Sequence, residues 1–343
     1  MNKCNETIFL ASSLLALLSA CTSGTTQTSS SQPITYAYIV NNGSNNYTQC
    51  SVGANGINTS SCTMITPSGS GALNQPLAIA INNGIAYITN SAESGYTQCT
   101  IVADNQSVNG VINPQSCLTT RGVKALSVPI AIAVSNGFAY ILNQESQAGQ
   151  NVPVPGYVQC AVNANGIESS TCSAIVLSGN AILDAPTGVA VSNGFAYFSN
   201  NGANASYTQC AVNANGIESS SCTTITPSGN AALNGPAAIA ISNNYAYITN
   251  LNDFSYTQCA INGSGIIASS CTTVVPLGTP SGSGILASPA AITVSNGYAY
   301  ITNWLNTSYT QCSVNSNGLA ANSCTTIIPS QGIFNIPYGI AIY

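Results

Sequence analysis

A chain of 343 residues that is 45% hydrophobic can bury a large core, yet only 3% of it is charged, against about a quarter in ordinary globular domains. Three Lys and Arg, eight Asp and Glu and no His give a net charge of -5, so Asn, Ser, Thr, Gln and Gly must solvate the surface. Phosphate-backbone recognition needs clustered cations for counterion release, and nucleic-acid binding is therefore excluded.

The chain opens with Met1, Asn2 and Lys3 and continues into an apolar stretch from Ile8 to Leu18. That stretch is too short for a stable membrane-spanning helix and has the layout of an export signal. It ends in Leu18, Ser19, Ala20 and Cys21, which resembles the lipobox of bacterial lipoproteins. The resemblance implies that residues 1–20 are removed and that Cys21 is acylated, anchoring the protein to a membrane. The alternative is an ordinary signal peptide followed by an incidental cysteine. Thr22 stands where an inner-membrane retention signal of enteric bacteria has Asp, which points to the outer membrane in an organism that has one. Residues 21–32 are rich in Ser and Thr with almost nothing apolar to bury, and read as a flexible tether. Residues 33–343 read as the folded domain.

A period near 50 residues runs through that domain. Each unit begins with Pro and an apolar alternation, as in Pro76 to Ile81, Pro129 to Val134 and Pro236 to Ile241. An Asn-Gly or related turn and an aromatic run follow, as in Phe138 to Asn143 and Tyr298 to Asn303. A polar loop then leads to Tyr-Thr-Gln-Cys, at Tyr47, Tyr96, Tyr207, Tyr256 and Tyr309, with Val158 as a variant after Tyr157. A Ser- and Thr-rich run around a second Cys closes the unit. Short segments rich in β-branched and aromatic residues, bounded by Gly, Asn and Pro, are strands. Four antiparallel strands repeated at this length predict the blade of a β-propeller. The first unit lacks its leading strand, and the missing strand is supplied by Ile336 to Ile342. Five complete blades and one shared between the two ends predict an all-β, six-bladed β-propeller, closed by strands from both termini with no open edge.

The Ala-Tyr-Ile-Thr-Asn runs at Ala86 to Asn90, Ala246 to Asn250 and Ala299 to Asn303 resemble the YVTN and related NHL-type propeller repeats. The resemblance spans residues 33–343 and implies an extracytoplasmic propeller of a kind often used for binding.

Cys4 falls in the leader, Cys21 is the lipidation candidate, and twelve cysteines remain, two to a unit. They pair as Cys50 with Cys62, Cys99 with Cys117, Cys160 with Cys172, Cys210 with Cys222, Cys259 with Cys271 and Cys312 with Cys324. Each pair brackets a hairpin turn, which sets the cysteines on facing or diagonal rungs within disulfide reach. Buried free thiols are the alternative. Metal binding finds no support, with no His and no Cys-x-x-Cys in the chain, and no cofactor is expected.

Titratable groups are sparse. Glu93, Asp104, Glu145, Glu168, Asp184, Glu218 and Asp253 share no repeat position except Glu168 and Glu218, which fall in the same outer turn. What recurs is neutral: Asn41, Asn90, Asn143, Asn200, Asn250 and Asn303 end the second strands, next to loops that hold Phe254 and Trp304. These eight residues form a candidate ligand face, against the alternatives that the asparagines cap turns and that the aromatics pack between blades. The recurrent Tyr reads as packing between blades. The expectation is a non-enzymatic, lipid-anchored binding or scaffolding propeller outside the cell, docking a protein partner. The alternatives are a glycan-binding or passive coat protein and, third, a propeller enzyme of lyase or lactonase type. A pocket gathering Asp184, Asp253 or Glu93 with Lys124 or Arg121 would revive that third reading.

Overall fold

The computed structural model describes residues 35–102, 110–144, 156–177, 181, 183–276, 285–330 and 332–343. The leader, Cys21, the tether, Asp104 and Glu145 lie outside the described residues. Six antiparallel sheets are arranged about a common axis. Blade 1 takes its innermost strand, Pro337–Ile342, from the far end of the chain, and adds Thr35–Asn41, Asn46–Gly53 and Thr63–Ile65. Blade 2 runs Pro76–Asn82, Ile85–Asn90, Gly95–Val102 and Leu118–Thr120, and blades 3 to 6 begin at Pro129, Pro186, Pro236 and Pro289. A two-residue ribbon, such as Gly216–Ile217, pairs back onto the end of each third strand. The expected six-bladed β-propeller is the fold.

Closure is a strand pairing. Ala37 lies opposite Ile342 and Ile39 opposite Ile340, and the backbones of Tyr36 and Tyr343 exchange hydrogen bonds of 2.8 and 2.9 Å. The six innermost strands contact one another in a closed cycle, with that of blade 1 between those of blades 6 and 2. The two strands that an open array would leave exposed cover each other.

Each blade has two unlike faces, dictated by the strand period of two. In blade 2 the pairs Tyr87 with Gln98 and Thr89 with Tyr96 share one face, and Ala86 with Cys99 and Ile88 with Thr97 share the other. The tyrosine face meets the small aliphatic face of the next blade: Tyr87 and Tyr96 pack on Ile132, Ala139, Ile141 and Ile167. The same core recurs in blade 4, where Tyr197 and Tyr207 pack on Leu233, Ile239, Ala246 and Ile248. The recurrent Tyr is thus the interface core, as expected.

The Gln of Tyr-Thr-Gln-Cys clasps the following blade. Gln209 Nε2 donates to the Ser264 carbonyl (2.7 Å) and its Oε1 accepts from the Ile266 N–H (2.8 Å). Gln98, Gln159 and Gln258 repeat the clasp, and Gln311 extends it across the termini to the Asn55 carbonyl. The amide lies over a glycine, Gly265 in this case, whose φ of 102° is left-handed and whose missing Cβ leaves the space.

Six disulfides join the expected partners. Each holds a third strand to the start of a fourth, with Cα atoms 4.0–4.1 Å apart. A loop of this length stabilises the fold by about 3 kcal/mol in the chain-entropy account. Disulfides form and persist in oxidising surroundings, so the folded domain belongs outside the cytoplasm.

Gly265→Ala is expected to cost about 3 kcal/mol, because it adds left-handed strain and breaks the Gln209 clasp. Gly297→Ala, at φ 78° with nothing near its missing Cβ, is expected to cost only the strain, roughly 1–2 kcal/mol. Denaturant unfolding of the two variants measures the difference; equal losses would remove the clasp from the account.

Candidate active site at the axial cavity

One end of the ring gathers the connections into each innermost strand and the turns that follow each second strand. The recurrent asparagines hold these two sets together. Asn250 Oδ1 accepts from the Asn234 N–H (3.3 Å), while its Nδ2 donates to Ser255 Oγ (2.9 Å) and Thr257 Oγ1 (3.0 Å). Asn303 does the same with Ala287, Ser308 and Thr310. Asn41 reaches Asn335, Asn46 and Thr48. Asn90 accepts from Asn74 and donates to Thr97, and Asn200 donates to Ser206 and Thr208. These five are fully buried. Asn143 is partly buried and spans Ser127 and Ala125. The ring of amides frames the mouth from within and is not displayed on its surface.

A second recurrent feature had no sequence signal. The residue before the proline of the innermost strand is left-handed in five blades: Gln75 (φ 50°), Ala185 (46°), Gly235 (67°), Ser288 (52°) and Ile336 (53°). Their carbonyls accept from the N–H groups of Ser91, Asn201, Leu251, Trp304 and Asn42, at 2.8–3.3 Å. Positive φ in a residue such as Ile336 costs on the order of 1–3 kcal/mol and persists only where its surroundings impose it. Such strain clusters at functional sites, and here it lines the mouth.

Below the mouth lies a cavity of about 540 Å³ on the axis. Its wall is the start of the six innermost strands, mostly Ala and Ile, with Gln144, Thr187, Asn201 and Tyr338 as its polar side chains. The third residue of each strand is Ala or Gly, because the neighbouring backbone approaches there: a Cβ on Gly188 would stand 2.7 Å from the Ala238 Cα, and one on Gly339 2.7 Å from the Ala78 Cα. The second residues are free to differ, as Leu77, Ile130, Thr187, Ala237, Ala290 and Tyr338, and all six line the cavity.

The acidic groups and the cations do not converge on the cavity, whose lining includes none of them. Glu93 pairs with Arg121 at 2.5 Å and accepts from Asn74 Nδ2 at 3.0 Å. Asp253 accepts from Ser255 Oγ at 2.6 Å, and Lys124 is exposed. Glu168 and Glu218 precede short 3₁₀ turns in their outer hairpins, as solvated surface groups do. Asp184 differs. It precedes the lining residue Ala185, its carbonyl accepts from the Gly202 N–H (3.0 Å), and its carboxylate folds over Gly202, where a side chain would collide with it. That brings one carboxylate to the rim beside Asn201. Among the described residues no cluster of three His, Cys, Asp or Glu could hold a metal ion.

The two aromatic candidates part company. Trp304 is half-buried and stacks on Tyr338, with ring centroids 6.4 Å apart and planes 30° from parallel. Phe254 occupies a turn of blade 5 with φ 55° and is exposed, and it is not among the residues lining the cavity.

No protein-family model matches the sequence, and no curated protein matches it. Solved structures do. A propeller in the nidogen–laminin complex aligns with a TM-score of 0.62 at 11% identity, over 90% of this chain and 98% of that one. The periplasmic gluconolactonase of Pseudomonas aeruginosa aligns at 0.56 and 12% identity, over 90% and 99%. A Bacteroides uniformis protein described as a candidate 6-phosphogluconolactonase aligns at 0.55 and 10% identity, over 91% and 100%. Likeness at these identities defines the fold, a six-bladed β-propeller.

The gluconolactonase-named propellers also overturn the expectation of a non-enzymatic binding or scaffolding protein. That expectation sought titratable groups recurring at one blade position. A site at the axis need not recur, because the second residue of each innermost strand differs from blade to blade.

Burial sets the titration of the tyrosines. It pushes Tyr87, Tyr140, Tyr197, Tyr207, Tyr247 and Tyr309 from the ordinary 10.0 up to about 12. Above pH 10 the unfolded chain ionises first and holds fewer protons than the folded one, so stability falls as pH rises. The fold is expected to lose stability progressively between pH 10 and about 12, with tyrosinate absorbance and unfolding rising together. Tyrosinate formation centred on pH 10 in a folded protein would contradict the packing described.

Proposed function

We propose that this protein is an exported propeller hydrolase that opens the ring of a small, uncharged sugar lactone in the axial cavity. The observation that carries the reading is the cavity, about 540 Å³ with an apolar floor and four polar side chains in its wall. Its size falls within the usual range of small-molecule sites. The gluconolactonase and the candidate 6-phosphogluconolactonase of the same fold support the reaction class.

Charge selects among lactones. The whole chain holds three Lys and Arg: Lys3 lies in the leader, Arg121 is paired with Glu93, and Lys124 is exposed. A phosphorylated substrate would enter the cavity with no counter-charge, at a high desolvation cost. A neutral lactone meets no such barrier.

Ring opening needs a base to take a proton from the attacking water and donors for the oxygen that gains charge. Asp184, at the rim, is assigned the base. The Gln144 and Asn201 amides are the donors assigned to that oxygen.

Purified full-length protein is expected to accelerate hydrolysis of glucono-1,5-lactone by at least about 100-fold over the spontaneous rate in a pH-stat assay, and to leave the 6-phospho form at background. Asp184→Asn is expected to remove most of that acceleration. No rate above background on a set of neutral lactones would sink the reading, and equal rates on the phosphorylated form would sink the charge argument.

The likeness of Leu18 to Cys21 to a lipobox supports a further proposal, that Cys21 carries lipid and holds the propeller at the envelope. The Ala-Tyr-Ile-Thr-Asn runs support kinship with YVTN and NHL repeats. Cys21→Ser is expected to move the protein from the membrane fraction to the soluble one; unchanged membrane association would exclude the anchor.

A further inference from the structure

We infer that Tyr338, backed by Trp304, is a platform that holds a neutral sugar ring against one wall of the axial cavity and so determines which lactone is bound. The substrate class rests on the lactonase reading; the platform makes a binding claim of its own.

The ring order fixes the arrangement. The innermost strands succeed one another from blade 1 to blade 6 and back, so Tyr338 of blade 1 faces Thr187 of blade 4 across the axis. Leu77 and Ile130 fill one flank between them, while Ala237 and Ala290 leave the other flank open. The cavity is therefore lopsided in size and in polarity. An aromatic face stands on one side, and on the other stand the Asn201 amide and, beside it at the rim, the Asp184 carboxylate. Thr187 Oγ1 donates to the Pro236 carbonyl at 2.6 Å, which leaves the Asn201 amide as the opposing group available to a ligand hydroxyl.

Tyr338 is held rather than loose. Its carbonyl accepts from Thr302 Oγ1 at 2.5 Å, and its ring is stacked against Trp304. The Trp304 backbone N–H is itself tied to the Ser288 carbonyl at 3.3 Å. A fixed aromatic plane presents an apolar face to the C–H face of a sugar while the sugar's hydroxyls point to its edges. The other five blades carry Leu, Ile, Thr, Ala and Ala at this position, so the platform exists once in the ring and breaks its pseudo-symmetry.

Trp304 is the single tryptophan of the chain and reports directly on its partner Tyr338. Titration of full-length protein with glucono-1,5-lactam, an analogue that lactonase chemistry does not open, is expected to change its emission saturably. Tyr338→Ala is expected to weaken the lactam about fivefold to tenfold, whereas Tyr338→Phe keeps the wild-type affinity within about twofold, since the aromatic face survives. The circular dichroism of both variants checks that the ring still folds. Undiminished affinity in a folded Tyr338→Ala variant overturns the platform. So does lactone hydrolysis by the wild type with no change in emission, which would leave the lactonase reading standing. A saturable emission change without hydrolysis supports the platform and removes the lactonase reading.

Discussion

The rest of the structure depends on the mismatch between the two faces of a blade. One face carries Tyr and Gln and the other Ala, Ile and Cys, so a blade buries itself only against a neighbour turned the same way. An array of such blades always leaves two unlike faces at its ends, and bending into a ring is what brings them together. Gln311 clasping the Asn55 carbonyl and Ile340 lying opposite Ile39 are the same inter-blade and intra-blade contacts as elsewhere, made between residues far apart in sequence. The fold thus buries twelve tyrosines almost completely while carrying few charges.

The constraint also decides where chemistry can reside. Interfaces that must match six times cannot vary, and the third residue of the innermost strand is kept to Ala or Gly by the approach of the next backbone. Freedom remains at the second residue of that strand and in the loops at the mouth. There the blades differ, with Thr187 and Tyr338 on opposite walls, a lone Asp184 where the other blades have Asn74, Ser127, Asn234, Ala287 and Asn335, and Gly202 making room for its carboxylate. The disulfides lie at the other extreme, on the hairpins far from the axis, and stiffen the outer parts of the blades.

Much of the fold was legible in the sequence. The Pro, Tyr-Thr-Gln-Cys and Asn-Gly segments marked the strands and turns, the incomplete first unit marked the closure, and Cys spacing marked the disulfides. The candidate site was far less legible. The asparagines were visible because they recur, yet recurrence is the mark of a group that holds the fold, and their amides are buried or half-buried inside it. Tyr338 and Thr187 did not stand out, because within one repeat each is a single departure from an apolar pattern; only the closed ring brings the six second residues into one cavity. The left-handed residues Gln75, Ala185, Ser288 and Ile336 share no side-chain chemistry, so no pattern announced them. Trp304 was singled out for its place in a loop beside the recurrent asparagines, and its contact with Tyr338 came from the ring order.

Removal of residues 337–343 tests the dependence on closure most directly, since it deletes the innermost strand of blade 1 and leaves the other five blades whole. The account predicts that this variant loses its single cooperative unfolding transition and associates through the exposed Thr35–Asn41 edge. A monomer that unfolds cooperatively with the midpoint of the full chain would contradict it.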